Sequence, residues 1–179
     1  MNIRIIAGKF GGRTIKAPTG HVTHPMSDRV RGSLFNMTNS RLPDADVLDI
    51  FAGTGALGLE SLSRGAKSAT FVERDRIASR ILAENIKLLG VGDVAESTQI
   101  GASTWIDKNP DKRFDIIFAD PPYDDMQFGV VKRLGELLKP GGMLILSHPE
   151  KVELPEIEGL EVVEDRGYGG AWLRFWKNN

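Results

Sequence analysis

The chain has 179 residues, of which 41% are hydrophobic and 26% charged, a composition typical of one soluble globular domain. It has no cysteine, which excludes disulfides and thiolate metal sites, and no apolar run long enough to cross a bilayer. The first eight residues form too short an apolar stretch for a signal peptide, so we expect a cytoplasmic protein without a membrane anchor.

The net charge of −1 conceals an uneven distribution along the chain. Residues 1–42, here called the arm, hold seven of the 23 basic residues but only one of the 24 acidic residues, Asp28. A basic arm on an acidic body favours contact with a polyanion, although solvated strands and helices also carry such charges. The basic residues of the arm are Arg4, Lys9, Arg13, Lys16, Arg29, Arg31 and Arg41.

The pattern along the arm predicts a small hairpin followed by a helix. β-Branched residues flank Gly11-Gly12, which indicates two short antiparallel strands within residues 2–17. Ser27 is a typical N-cap, and apolar residues at helical spacing follow it, so we expect a helix to begin there. Pro43 then separates the arm from residues 43–179, which we predict to form the main domain.

From residue 45 onward, predicted strands and helices alternate, which indicates βαβ units and a mostly parallel sheet. The last two strands are joined directly by a glycine-rich turn at residues 167–170 and should form an antiparallel hairpin. We therefore predict an α/β, Rossmann-like fold with about seven strands. The predicted strands are 47–51, 68–73, 94–100, 114–119, 143–147, 160–166 and 171–176, and the predicted helices are 56–63, 76–89 and 128–138, the last ended by Pro140-Gly141-Gly142.

A glycine-rich loop follows the first strand of the main domain and opens a helix. Gly53, Gly55 and Gly58 match the pattern G-x-G-x-x-G, in which glycine lets the backbone turn tightly and approach a ligand. Glu73 lies twenty residues after Gly53, at the end of the next strand, where a carboxylate can accept both hydroxyls of a ribose. These features fit a nicotinamide cofactor as well as S-adenosylmethionine, and the glycines also fit a tight turn without a ligand.

Asp49 favours S-adenosylmethionine over a dinucleotide. This acid lies at the end of the strand, just before the glycine loop. It would repel a pyrophosphate, whereas it would attract the ammonium group of a methionine moiety. A carboxylate that only caps a helix or a turn is the alternative interpretation of Asp49.

A second loop, Asp120-Pro121-Pro122-Tyr123, follows the strongest predicted strand. Because ligands of open α/β sheets lie beyond the carboxyl ends of the strands, Asp49 and Asp120 should face the same crevice. Two consecutive prolines fix two φ angles and lack N–H groups, so the nearby backbone carbonyls stay available as acceptors. The loop therefore predicts a rigid set of acceptors beside an aromatic ring, although its composition also fits an ordinary turn.

Such a loop suits the methylation of an exocyclic amine on a nucleic-acid base. The amine is a poor nucleophile, because its lone pair is delocalised into the ring. Acceptors on its two N–H bonds would orient the nitrogen for in-line attack on a sulfonium methyl group. We assign Asp120 and Pro121 to orient the amine, Pro122 to fix the turn, and Tyr123 to stack on a base that is extruded or already single-stranded.

Together these motifs resemble those of the RsmD family of 16S ribosomal RNA guanine-N2 methyltransferases, which have the class I Rossmann-like fold. The resemblance covers nearly the whole chain, since residues 4–13, 27–36 and 55–66 and the closing hairpin also match the family. It implies methyl transfer to a guanine of small-subunit ribosomal RNA, in an assembly particle, by a monomer without a metal.

The resemblance also implies roles for individual residues. The cofactor residues would be Asp49, Phe51, Gly53, Gly55, Glu73, Arg74, Gly101, Ala102 and Asp120, and the RNA-binding residues would be Arg4, Lys9, Arg13, Lys16, Arg29 and Arg31. The chain departs from the family pattern at His24-Pro25-Met26, at Gly32 and at Gly101. Gly101 stands where the family usually has Asp or Asn, so we expect the backbone N–H of Ala102 to contact the adenine amine instead.

Other functions stay open at this point. An adenine of DNA or a glutamine amide of a protein would undergo the same chemistry, although DNA-acting relatives usually carry an insertion and the glutamine type has Asn in place of Asp120. The chain could also be a non-catalytic RNA-binding module, or a nicotinamide oxidoreductase in which Asp49 has no role. We interpret His21 and His24 as loop residues, because no third metal ligand accompanies them.

Overall fold

The arm begins with a two-stranded sheet in the computed structural model, which describes residues 2–20 and 25–179. β1 (Asn2–Arg4) and β2 (Thr14–Lys16) are antiparallel, as predicted. α1 (Asp28–Thr38) begins where expected, because the Ser27 hydroxyl accepts a hydrogen bond from the Val30 amide at 3.3 Å. His21 and His24 lie outside the described residues, so their interpretation stays a prediction.

The main sheet has seven strands, five of them parallel, which confirms the predicted fold class. Its spatial order is β5-β4-β3-β6-β7-β9-β8, and β9 is antiparallel to both β7 and β8. The strands are β3 (Asp46–Asp49), β4 (Ser68–Glu73), β5 (Ala95–Gln99), β6 (Phe114–Ala119), β7 (Leu138–His148), β8 (Leu160–Tyr168) and β9 (Ala171–Asn178). The helices are α2 (Ala56–Ser63), α3 (Arg76–Leu89), α4 (Ala102–Lys108) and α5 (Phe128–Leu134).

The strand order reverses between β3 and β6. From β3 the chain proceeds to β4 and β5 on one side, and it then returns to add β6 and β7 on the other side. Asp49 pairs in register with Phe118, so the loops after β3 and β6 emerge side by side at the same edge. A crevice at such a reversal is the usual ligand site of an open α/β sheet.

Helices cover both faces of the sheet, because consecutive strand residues point to opposite sides. On β3, Val47 packs in the cluster that contains α1, whereas Leu48 packs with α4 and α5. On β4, Phe71 packs with α2, α3 and the arm hairpin, and Val72 faces α4. The central strands are therefore apolar on both faces, as parallel strands in a three-layer fold must be.

Buried side chains of α2 hold the arm against the main domain. Both carboxylate oxygens of Glu60 accept hydrogen bonds from backbone amides, Oε2 from Ile6 at 2.8 Å and Oε1 from Ala7 at 3.0 Å. Ser63 Oγ donates to the carbonyl of Ala7 at 2.6 Å and accepts from the amide of Phe10 at 2.9 Å. The division of the chain at residue 43 stays a prediction.

The predictions for the helix at 128–138, the start of β7 and the segment before β6 were wrong. The helix predicted over 128–138 ends at Leu134, and a 3-10 turn follows from Gly135. Gly135 packs closely against Ile157, since a Cβ added to this glycine would lie 2.9 Å from Ile157 Cγ2. Pro140-Gly141-Gly142 does not end a helix but forms a bulge inside β7, between the pairs Phe114–Leu138 and Ile116–Met143. α4 was not predicted, because its seven residues are too few to show a clear period.

Within residues 2–20 and 25–179, no helix has the length and apolar character needed to cross a membrane.

Candidate active site

A cavity of about 740 Å³ lies at the carboxyl ends of the central strands. Its walls come from the glycine loop, the ends of β3 and β4, the start of α4 and the loop after β6, as expected for the strand reversal. The start of α1 and the turn between β8 and β9 complete it. The predicted site residues that line it are Asp49, Phe51, Gly53, Glu73, Arg74, Ala102, Asp120, Pro121, Pro122 and Tyr123.

The three glycines of the loop have different structural roles. Gly53 lines the cavity with a φ of 56°, and its amide donates to Glu73 Oε2 at 2.7 Å. Gly55 does not line the cavity, and an added Cβ there would lie 2.5 Å from Leu82 Cδ1. An added Cβ at Gly58 would lie 2.2 Å from the Phe71 ring. The second and third glycines are thus needed for packing against α3 and β4.

Asp49 is a fully buried acid with one oxygen unpartnered. Its Oδ2 accepts a hydrogen bond from the amide of Gly58 at 3.0 Å, whereas its Oδ1 has no partner among the residues described. Burial raises the pKa of Asp49 to about 7, aided by the nearby carboxyls of Asp120 and Glu73 and opposed by the Gly58 hydrogen bond. A buried acceptor without a partner at a cavity wall fits a cationic ligand group such as an ammonium.

Glu73 is fixed by backbone amides at the end of β4. Its Oε1 accepts from the amide of Asp75 at 2.8 Å, and its Oε2 accepts from Gly53. Each oxygen has a second lone pair, so the carboxylate can still accept hydrogen bonds from two hydroxyl groups of a ligand. Arg74 also lines the cavity, but its guanidinium is paired with Asp125 at 3.0 Å.

The wall near α4 is mostly apolar. Phe51, Ile100 and Ala102 line it, and Val72 lies beside them. Gly101 is the N-cap of α4 and does not line the cavity, so this predicted residue is set back from the site. Such a wall can accommodate the flat face of an adenine.

Asp120 and Tyr123 both contact Ser147, at the end of the neighbouring strand β7. Burial raises the pKa of Asp120 to about 6, and a hydrogen bond with the Ser147 side chain partly opposes this shift. The Tyr123 hydroxyl lies 2.9 Å from Ser147 Oγ, while 41% of the tyrosine surface stays exposed. The ring is therefore held at one end and accessible at its face. Ser147 was not among the predicted site residues.

Further cavity residues come from parts of the chain that no motif marks. Met26, Ser27 and Val30 contribute from α1 and the segment before it. Tyr168 and Gly170 contribute from the closing hairpin, and the Tyr168 hydroxyl is hydrogen-bonded to the Ser33 hydroxyl. The only sequence signal for the hairpin residues was the glycine-rich turn, which predicts a turn but no contact.

The basic residues of the arm do not all face solvent. Arg4, Lys9, Arg13, Lys16 and Arg29 are exposed, although Lys16 pairs with Glu84 at 2.9 Å. Arg31 is only 1% exposed, and its guanidinium donates to Asp28 and to the carbonyls of Met26 and Arg4. Its guanidinium is therefore committed to internal hydrogen bonds, which disfavours contact with RNA, and its assignment as an RNA-binding residue stays a prediction.

The positions of Asp49 and Asp120 define the class of protein. The Asp49 carboxylate would repel a pyrophosphate, whereas its unpartnered oxygen would attract the ammonium group of a methionine moiety. The protein is an S-adenosylmethionine-dependent methyltransferase of the Rossmann-like class. No cluster of three potential metal ligands occurs in the part of the chain that the structure describes.

Comparison with known proteins identifies the family. A family model described as Conserved hypothetical protein 95 matches residues 3–177, and the chain belongs to this family, the RsmD family predicted from the sequence. The chain is 33% identical to "Putative rRNA methyltransferase YlbH" of Bacillus subtilis, with 98% of both chains covered. It is 39% identical to "Ribosomal RNA small subunit methyltransferase D" of Escherichia coli, over 79% of this chain and 69% of that protein.

A solved structure supports the same assignment. The "Putative methyltransferase yhhF from Escherichia coli" superposes with a TM-score of 0.87 at 31% identity, covering 99% of this chain and 98% of that one. The similarity extends through the arm as well as the main domain, because so little of either chain is left uncovered.

Proposed function

We propose that the protein transfers a methyl group from S-adenosylmethionine to the exocyclic N2 amine of a guanine in small-subunit ribosomal RNA. The relatives named as small-subunit ribosomal RNA methyltransferases support the substrate class. The single observation that carries the chemistry is the position of Asp120, an acceptor group at the strand end next to Asp49, in one cavity.

The cavity fits the cofactor at three points. Asp49 Oδ1 would accept a hydrogen bond from the ammonium group, and Glu73 would accept from the ribose hydroxyls. Phe51, Ile100 and Ala102 would enclose the adenine. When bound, S-adenosylmethionine supplies a methyl carbon attached to a positively charged sulfur, which makes that carbon an electrophile.

The loop after β6 would bind the acceptor base. We propose that the Asp120 carboxylate and the Pro121 carbonyl accept hydrogen bonds from the amine, which localises its lone pair on nitrogen. The proton that the nitrogen loses after methylation passes to Asp120 or to water. Tyr123, which Ser147 holds by its hydroxyl, offers its exposed face for stacking on the guanine.

The exposed basic residues of the arm would bind the RNA backbone. Arg4, Lys9, Arg13 and Arg29 are candidates, since their side chains face solvent. We propose that the enzyme acts as a monomer on a small-subunit assembly particle. A ribosomal RNA substrate would place it in the cytoplasm, as we expected from the sequence.

Methyl transfer tests this proposal directly. Tritiated S-adenosylmethionine would be incubated with wild-type protein and with ribosomal RNA, ribosomal particles, DNA or protein that lack native methylation. We expect label in N2-methylguanosine of small-subunit RNA. In Asp120→Asn the rate of methyl transfer should fall about a hundredfold or more, because an amide oxygen can accept the hydrogen bond but cannot take up the proton. Asp111→Asn is the matched control, since Asp111 is exposed and lies before β6, at the opposite end of that strand from Asp120. Label in adenine, DNA or protein would contradict the proposal.

A further inference from the structure

Asn85 on α3 connects the arm to the glycine loop. The side chain is 0% exposed, and each of its polar atoms has a protein partner. Its Oδ1 accepts from the amide of Lys16 at 2.8 Å, and its Nδ2 donates to the carbonyl of Lys16 at 2.9 Å. The same Nδ2 donates to the carbonyl of Thr54 at 2.9 Å. One side chain therefore binds β2 in the manner of a neighbouring strand and also fixes the loop between Gly53 and Gly55.

Both partners of Asn85 lead directly into the cavity. Thr54 lines it, and so does Pro18, two residues after Lys16. A neighbouring contact reinforces the loop, because Leu82, one turn before Asn85 on α3, packs closely against Gly55. Two walls of the cavity, one from the arm and one from the glycine loop, thus share a single buried support.

We propose that Asn85 is a positioning residue that couples the cofactor loop to the arm, so that binding of cofactor and binding of RNA strengthen each other. The inference rests on the proposed function, in which the arm binds RNA and the glycine loop binds S-adenosylmethionine. A ligand that orders either segment also restrains the Asn85 amide and, through it, the other segment. The second ligand then loses less conformational entropy when it binds. Linkage requires the effect to be reciprocal in the two binding constants.

The arm has a second anchor that serves as a matched control. Ser63 holds Ala7 and Phe10 by two hydrogen bonds but contacts no residue of the glycine loop. A substitution at Ser63 therefore loosens the arm without releasing Thr54. If Asn85 acts only by anchoring the arm, Asn85→Asp and Ser63→Ala should have the same consequences.

The test measures the dissociation constant of S-adenosylhomocysteine with and without saturating unmethylated small-subunit ribosomal RNA. For wild type, we expect RNA to tighten binding by about fivefold or more, which is the lower end of typical allosteric coupling. In Asn85→Asp, a carboxylate replaces the amide donor, so the ratio of the dissociation constant without RNA to that with RNA should fall to about one. The KM values of this variant should rise more than its kcat falls. Ser63→Ala should retain the wild-type ratio. Equal ratios in all three proteins would overturn the inference.

Hydrogen exchange on the wild-type protein covers the case in which Asn85→Asp fails to fold. S-adenosylhomocysteine should slow exchange of the Lys16 amide, which donates to Asn85, and RNA should slow exchange of the Gly53 and Gly55 amides. Absence of both cross-effects would overturn the inference. If wild-type protein neither binds nor methylates RNA, the proposed function fails instead, whereas methylation without coupling contradicts only the role of Asn85.

Discussion

The hydroxyl groups of Tyr168 and Ser33 are hydrogen-bonded to each other, although 135 residues separate them in the chain. Tyr168 ends β8 and lines the cavity, whereas Ser33 lies on α1 in the arm. The contact therefore fixes the closing hairpin against the arm at one wall of the cavity.

This contact predicts a non-additive pair of substitutions. Tyr168→Phe and Ser33→Ala each remove the same hydrogen bond, so each should lower kcat/KM for RNA by about fivefold, the effect of one neutral hydrogen bond. The double variant should be no worse than either single variant. A double-mutant cycle on methyl transfer measures the coupling, and additive losses would show that the two hydroxyls act separately.

The buried carboxyl of Asp49 predicts opposite effects of pH on cofactor binding and on stability. Below a pKa of about 7 the group is protonated and cannot attract an ammonium, so the dissociation constant of S-adenosylmethionine should rise as pH falls from about 8 to 6. The folded pKa exceeds the ordinary value of 3.8, so the folded protein retains a proton that the unfolded chain has lost. The free energy of unfolding of the ligand-free protein should therefore decrease as pH rises from about 4 to 7.

Asp49→Asn separates these two effects. The variant should bind S-adenosylmethionine weakly at every pH, yet at pH 8 it should melt at a higher temperature than ligand-free wild type. The higher melting temperature is expected because the amide oxygen of the new side chain can still accept the hydrogen bond from the Gly58 amide, while no charge is buried. Calorimetric titration and thermal melts check both outcomes. A variant that is less stable than wild type at pH 8 would contradict the interpretation of the buried charge.

Asp120 predicts the pH dependence of the chemical step. Its carboxyl must be ionised to take up the proton that the amine loses, and its pKa is raised to about 6. With cofactor and RNA saturating, kcat should therefore fall about tenfold per pH unit below pH 6 and level off above pH 7. Single-turnover rates give the profile without product release. A flat profile between pH 5 and 8 would exclude this carboxyl as the titrating group.

The exposed cations of the arm predict a salt-dependent loss of RNA affinity. Lys9 and Arg13 flank the Phe10 ring, with the charged groups 5.0 and 5.5 Å from its centroid. Lys9→Ala and Arg13→Ala should each weaken binding to RNA of any sequence. Each should also reduce the slope of the logarithm of the RNA association constant against the logarithm of salt concentration by about 0.7–0.9. Lys112→Ala, on the main domain, is the control. An unchanged slope would show that these cations do not contact phosphate.

Arg31 predicts a loss of stability rather than of RNA affinity. Arg31→Lys removes the planar group that reaches Asp28, Met26 and Arg4 together, so it should lower the free energy of unfolding by about 2 kcal/mol. Urea unfolding at fixed pH measures this change. If the variant is as stable as wild type but binds RNA more weakly, Arg31 must be accessible after all.

The sequence predicted the parts of the molecule that have strong local patterns. The limits of α2, β4 and β6 matched the structure, because glycines, caps and continuous apolar runs mark them. The sequence also placed Asp49 and Asp120 at one crevice, since parallel strands present their carboxyl ends at the same edge.

The features that were missed depend on contacts distant in the sequence. Burial of Arg31 follows from its packing within the arm, where it donates to the carbonyl of Arg4 in β1, and a count of charges cannot show this. Ser147 and Tyr168 reach the cavity only because β7, β9 and β8 add to the sheet in that order. Gly55 fits a cofactor motif, yet glycine is favoured there by a φ of 93° and by the close approach of Leu82 on α3.

The backbone hydrogen bonds accepted by Glu60 have a consequence for substrate selection. Because Ile6 and Ala7 are tied to a buried side chain of α2, the arm cannot swing as a loose tether. The exposed cations therefore stay within a limited range of distances from Asp120, and an RNA must present a phosphate backbone and an accessible base within that range. The protein would select its target by the tertiary shape of the RNA rather than by a short sequence.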